Sequence, residues 1–239
     1  MNTNAEHKMV YARPGKSIAV HWFNAVCWLV LTFSGLGIIR GDLRFMPYGF
    51  AEWMQNAIGG QFNLIISHSM LGMIWSGVLV LFTALNWREV VWPFLKHVLS
   101  ITPRAIIADA WSMGLELAQL FGLFKKVPLP LAGRYNGAQR LLGTMILASA
   151  ALIMLTGTVM FFLFIFTGLM IDSGVFRWSL VAHGFFVGLV WIGLIAHIYF
   201  ALVELPQAME GMKSGYLDEE FIKHHRPKWY AELKEQGKV

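Results

Sequence analysis

The chain has 239 residues, 56% hydrophobic and only 14% charged, with a formal net charge of +5. That balance excludes an ordinary soluble globular domain and places the chain among integral membrane proteins. The basic excess is not gathered on one soluble face, so it reads as membrane topology rather than as affinity for nucleic acid.

Four apolar runs, about 18–39, 62–85, 141–170 and 179–205, are each long enough to cross a bilayer as a helix. The first three contain no Asp, Glu, Lys or Arg, and the fourth has only Glu204 at its end. The expected fold is therefore all-α: a four-helix membrane bundle forming a single domain over 1–239. Cys27 is the lone cysteine, so no disulfide can form within the chain. A cleavable signal peptide is not expected, because the first run is too long for one and no A-x-A-type site follows it. Residues 1–17 hold three Lys/Arg, 86–140 hold seven and 206–239 hold six, against two in 40–61 and one in 171–178. With four spans the basic stretches share one side, which the positive-inside rule makes cytoplasmic, with both termini inside.

The first run opens near the inner edge, and His21 falls four residues into it. Ser34, Gly35 and Gly37 near its far end suit close helix packing. The aromatic outer loop GDLRFMPYGFAEW belongs at the interface. The second run starts outside, with His68 near the outer edge and Gly72 one turn on along the same face. A glycine there serves either close helix packing or the approach of a flat macrocycle to the backbone. In the 86–140 connection, residues 103–126 carry apolar residues at helical spacing with Asp109, Glu116 and Gln119 between them. They read as an interfacial amphipathic helix or a surface helix against a partner. His97 reads as an ordinary exposed histidine. GRYNGAQR (133–140) then places Asn136 and Gln139 three residues apart at the inner edge. They suit either helix capping or hydrogen bonding to the polar head of a lipid-soluble ligand. The third run has no histidine and serves packing.

The fourth run carries His183 and His197, fourteen residues apart. On a helix that spacing returns the second imidazole to within roughly 40° of the first and about 21 Å along the axis. His21 and His197 therefore share an inner level, and His68 and His183 an outer one. Two matched pairs of neutral imidazoles suit bis-histidine ligation of two haem irons in a bundle core. The absence of a C-x-x-C-H stretch makes them b-type rather than covalently attached. Zinc fits poorly with two ligands per level and no thiolate. A proton transporter is the alternative of a different class, and the spans lack the carboxylates such relays use. A passive membrane anchor leaves the depth pairing unexplained.

HW at 21–22, SHSMLG around His68, RYNGAQR, AHGFFVG, AHIYFA and KHHRPKWY at 223–230 run in order along nearly the whole chain. In these pieces the chain resembles the cytochrome b (gamma) subunit of membrane-bound, quinone-linked formate dehydrogenases. Related hydrogenase and thiosulfate or polysulfide reductase cytochromes share the histidine design, whereas RYNGAQR with the KHHRPKWY tail is more specific. The resemblance implies a subunit of the bacterial inner membrane, holding two haem b groups on His68/His183 and His21/His197. It implies electrons arriving from an iron–sulfur (beta) subunit and a molybdenum- or tungsten-pterin catalytic (alpha) subunit, and leaving to menaquinone or ubiquinone near Asn136 and Gln139. Gly137 and Ala138 stand exchanged relative to the family's Asn-Ala-Gly-Gln order, with both amides kept. The tail, with His224 and His225 outside every span, is expected to be an inner structural or partner-binding element.

Overall fold

The computed structural model describes residues 8–39, 47, 49–123, 128, 130–167 and 174–239. A short strand, β1 (Met9–Tyr11), precedes helix α1 (Gly15–Ile38). Helices α2 (Phe50–Ile58) and α3 (Gln61–Asn86) follow, and a π-helical turn, Trp87–Val91, carries α3 into α4 (Trp92–Val98). Next come α5 (Pro103–Leu120), α6 (Gly137–Thr167) and α7 (Gly174–Tyr199), the last continued by a second π-helical turn, Phe200–Glu204. The tail folds as α8 (Pro206–Lys213), β2 (Tyr216–Asp218), α9 (Glu219–His225) and α10 (Pro227–Glu235).

Four stretches are long and apolar enough to span a membrane: Gly15–Ile38, Gln61–Val98, Gly137–Phe166 and Gly174–Glu204. Within each, only 11% of the apolar window is buried in the protein. The rest is surface that water would not tolerate and lipid does, which is the pattern of an all-α membrane bundle. In hydrocarbon the backbone must satisfy its own hydrogen bonds, and uninterrupted helices do so.

The helix ends differ from the sequence expectation, each for a local reason. α6 starts at Gly137 rather than near 141, because Asn136 caps a polar first turn. α7 starts at Gly174 rather than 179. Its opening turns contain Phe176, Arg177 and Trp178, aromatic and long basic side chains that suit the interfacial zone. The second span does not stop near 85 but continues helically through the π turn to Val98. The amphipathic helix ends at Leu120. Residues 124–126 of that expected helix, 168–170 of the third run, and 41–46 and 48 of the outer loop lie outside the described residues.

The chain divides into two compact units, one holding 19–87 and 151–187, the other 1–18, 88–150 and 188–239. In the first unit, the buried Trp28 and Trp75 rings meet edge to face at 5.6 Å. Trp75 Nε1 donates to Asn24 Oδ1 at 2.8 Å, so an indole N–H within the apolar spans finds its acceptor. Gly37 gives the close packing its sequence neighbourhood suggested: a Cβ there would lie 2.6 Å from Met54 Sδ and 3.1 Å from Leu64.

The second unit ties the two ends of the chain together. β1 pairs antiparallel with β2 in the register Met9 to Asp218, Val10 to Leu217 and Tyr11 to Tyr216. Ala12 and Arg13 both donate their backbone N–H to the carbonyl of Gly215. Around this ribbon Val10, Ala12, Leu217, Phe221, Ile222, Trp229 and Leu233 form a small buried core. The two terminal arms therefore pack against each other.

Candidate functional site

The outer histidines are built alike. His68, on α3, is half-buried and its Nδ1 lies 2.8 Å from Ser34 Oγ on α1. His183, on α7, is half-buried and its Nδ1 lies 3.0 Å from Thr156 Oγ1 on α6. Both belong to the same compact unit. Each ring also rests on a glycine of the neighbouring helix. A Cβ on Gly35 would sit 3.4 Å from His68 Cε1, and one on Gly157 would sit 3.3 Å from His183 Cε1. The second would crowd the ring, and the first would touch it.

This donor set fits haem b. Each imidazole is held by Nδ1, which leaves Nε2 as the nitrogen that could ligate an iron. Among the described residues, no three His, Cys, Asp or Glu side chains gather into a metal site made by the protein alone. Two imidazoles therefore suit a metal that brings its own equatorial ligands. Gly72 adds to the fit. A Cβ there would meet only Leu31 Cδ2, at an ordinary 3.9 Å, so helix packing does not require a glycine at that position.

Of the two histidines that the sequence assigns to an inner level, His21 is half-buried beside Trp22, with ring centroids 5.4 Å apart, and His197 is exposed on α7. They belong to different units, so their pairing rests on sequence depth alone. His97 is exposed on α4, as read from the sequence.

Asn136 and Gln139 form a reciprocal cap at the start of α6. Asn136 Oδ1 accepts from the Gln139 N–H at 2.8 Å, and Gln139 Oε1 accepts from the Asn136 N–H at 3.2 Å. This is the logic of a capping box, contributing about 1 kcal/mol to the helix start. Asn136 Nδ2 also donates to Glu116 Oε2 at 3.0 Å, while Ser112 Oγ donates to Glu116 Oε1 at 3.1 Å. Burial raises the Glu116 carboxyl above its ordinary range, and the Ser112 bond opposes that. Both amide oxygens are thus committed to backbone, and the Asn136 amide nitrogen donates to Glu116.

The rest of RYNGAQR binds this corner to its surroundings. Gly137 packs onto α5, where a Cβ would lie 2.9 Å from the Asp109 backbone oxygen and 2.7 Å from Ser112 Cβ. The exchange of Gly137 and Ala138 is thus explained here: position 137 is where this chain has no room for a side chain. Arg140 bonds Asp109 Oδ1 at 3.3 Å and the Leu99 carbonyl at 3.2 Å, and the buried Ser100 hydroxyl donates to Asp109 Oδ2. Arg134 donates to the Ala12 carbonyl at 2.6 Å and lies 5.3 Å over Trp229. Arg226, buried between Phe221 and Trp229, is pushed down to about 10, first by burial and then by Arg13, so it stays charged at neutral pH. The RYNGAQR segment and the KHHRPKWY tail thus meet, and the tail is structural through Trp229. His224 is exposed and bonded to Glu220 at 2.8 Å, and His225 stacks on Phe221 at 4.6 Å.

Sequence reasoning noted Ser34 only as a packing residue, Glu116 only as a polar position, and Thr156 not at all. The signal available was a hydroxyl–glycine pair, Ser34–Gly35 and Thr156–Gly157, in each helix facing a histidine.

Apolar spans holding tied imidazoles, with no protein-only metal cluster among the described residues, fit the class of membrane b-type cytochromes. Residues 13–215 match the family described as prokaryotic cytochrome b561, and the chain belongs to that family. It is a transmembrane electron-transport protein of the bacterial inner membrane. The chain is similar to the formate dehydrogenase cytochrome b556(fdo) subunit of Escherichia coli (strain K12), 20% identical over 221 residues that cover 90% of this chain and 88% of that protein. It is 24% identical over 233 residues to the nitrate-inducible formate dehydrogenase cytochrome b556(Fdn) subunit of the same strain, covering 96% and 94%. The Fdn subunit of Shigella flexneri gives the same figures.

Proposed function

We propose that this chain is the diheme cytochrome b subunit of a respiratory formate dehydrogenase complex, carrying electrons from an iron–sulfur subunit across the membrane to a quinone. One observation carries the reading: in a chain of this family, His68 and His183 lie in apolar spans and each meets a neighbouring hydroxyl through Nδ1, which leaves Nε2 able to take an iron. The relatives' names, which are those of formate dehydrogenase subunits, supply the complex. Haem b, when bound, supplies reversible one-electron transfer. The protein's part is to hold it: His68 and His183 at the outer level, His21 and His197 at the inner level.

The basic arms and the 86–140 connection orient the chain with both termini in the cytoplasm. The iron–sulfur and molybdenum- or tungsten-pterin partners then lie on the outer side. The quinone, menaquinone or ubiquinone, binds at the inner edge, where Asn136 and Gln139 donate hydrogen bonds to one of its oxygens without bringing charge into the membrane. α5 suits that edge. Its polar Asp109 and Ser112 are buried against α6 while Ile107 and Trp111 stay exposed, a face for the interfacial layer.

Purifying the complex from native membranes under mild detergent tests the assignment. Peptide sequencing should find an iron–sulfur subunit and a pterin-binding subunit, and formate should reduce the b-type absorption of the same sample. Recovery of a hydrogenase or a sulfur-compound reductase, with no response to formate, would move the chain to those complexes.

A further inference from the structure

We propose that Ser34 and Thr156 are positioning residues that set the tautomer of the outer haem ligands: each hydroxyl accepts the Nδ1–H of the imidazole facing it and so presents Nε2 to the iron. The inference rests on the reading of His68 and His183 as axial ligands and goes beyond it.

A hydroxyl has one proton and two lone pairs, and a carbonyl oxygen can only accept. Ser34 Oγ lies 2.8 Å from the Val30 carbonyl and 3.1 Å from that of Leu31. Thr156 Oγ1 lies 2.7 Å from the Leu152 carbonyl and 3.2 Å from that of Ile153. In each case the preceding helical turn offers acceptors for the proton. With the proton placed there, the hydroxyl turns its lone pairs toward the histidine, 2.8 Å and 3.0 Å away. A neutral imidazole carries one N–H, so that N–H sits on Nδ1 and the lone pair on Nε2.

Back-bonding of a helical hydroxyl is common by itself. It does not account for an imidazole at the same oxygen, nor for a glycine one residue on that clears the ring's Cε1 edge. Here both occur twice, on separate helix pairs: Ser34–Gly35 of α1 against His68 of α3, and Thr156–Gly157 of α6 against His183 of α7. A chain of N–H to O–H to C=O polarises the imidazole and strengthens its donation through Nε2, as outer-shell partners of metal-bound histidines do. Stronger donation favours the ferric state and lowers the potential of the outer haem.

Potentiometric titration of the assembled complex, with low-spin EPR on the same samples, tests this. Ser34→Ala and Thr156→Val should each raise the midpoint of the outer haem and move its EPR signal, with the inner component unchanged. Outer-haem affinity should fall roughly 10- to 100-fold. Ser34→Thr and Thr156→Ser, which keep the acceptor oxygen, should restore both readouts. Unchanged midpoint and signal in both hydroxyl-free variants, with two haems bound, would overturn the inference and leave the ligation intact. Equal loss of both haems would mark a general folding role and overturn it as well. Retention of the outer haem by His68→Ala would instead defeat the ligand assignment beneath it.

Discussion

His68→Ala and His183→Ala should each abolish the outer haem and spare the inner one. Without a covalent thioether attachment, a b-type haem is held by its axial bonds and by packing. Removing one imidazole removes an axial bond and opens a void in the same step. The two residues come from α3 and α7, which are distant in sequence, yet each ring is held through Nδ1 in the same way. A shared phenotype is therefore the natural outcome. His21→Ala and His197→Ala should do the converse, sparing the outer component. Pyridine haemochrome analysis should fall from two haems per chain to one in all four variants. Redox titration should then show the same surviving component within each pair. Grouping of His21 with His68 would contradict the assignment of depths.

The second large effect falls on quinone reduction. Asn136→Leu or Gln139→Leu should slow it in the assembled complex while haem content and electron arrival at the outer haem stay near normal. Hydrogen bonds lost at a buried ligand cost about 1–3 kcal/mol each, which is roughly a five- to hundred-fold drop at about 1.4 kcal/mol per factor of ten. The structure complicates the leucine variants, because the same amides cap α6. Asn136→Ser separates the two roles. Serine keeps an oxygen able to accept the Gln139 N–H, and so keeps the cap, but it lacks the amide N–H groups. A retained α6 cap with slowed quinone reduction is the expected result. A wild-type rate in Asn136→Ser together with Gln139→Leu would move the quinone site elsewhere.

Much of this architecture could be read along the chain, because membrane spans are a local property. An uncharged run of twenty or more apolar residues has few ways to satisfy its backbone other than a helix, and histidine depth within such a run follows by counting. Helix ends were harder. The first turn of α6, Gly137–Arg140, is polar and looks like loop until the reciprocal Asn136–Gln139 cap is seen. The same cap engages the amide oxygens with backbone, while the Asn136 N–H group turns to Glu116, so capping does not by itself use up the donors that the proposed ligand role needs. The pairing of β1 with β2 was invisible, since three-residue strands some two hundred positions apart leave no periodic trace. Ser34 and Thr156 were hidden for another reason. A hydroxyl in an apolar helix ordinarily bonds its own backbone, and only the facing imidazole reveals its second bond.

The central claim is two b-type haems on one chain, and their count tests it most directly. The protein should be purified in mild detergent with its partner subunits, reduced with dithionite, and assayed for pyridine haemochrome against protein determined by amino-acid analysis. Two haems b per chain, resolving into two midpoints on titration, is the predicted result. A correctly inserted chain that is colourless, or that binds a single haem with His68 and His183 both dispensable, would contradict it.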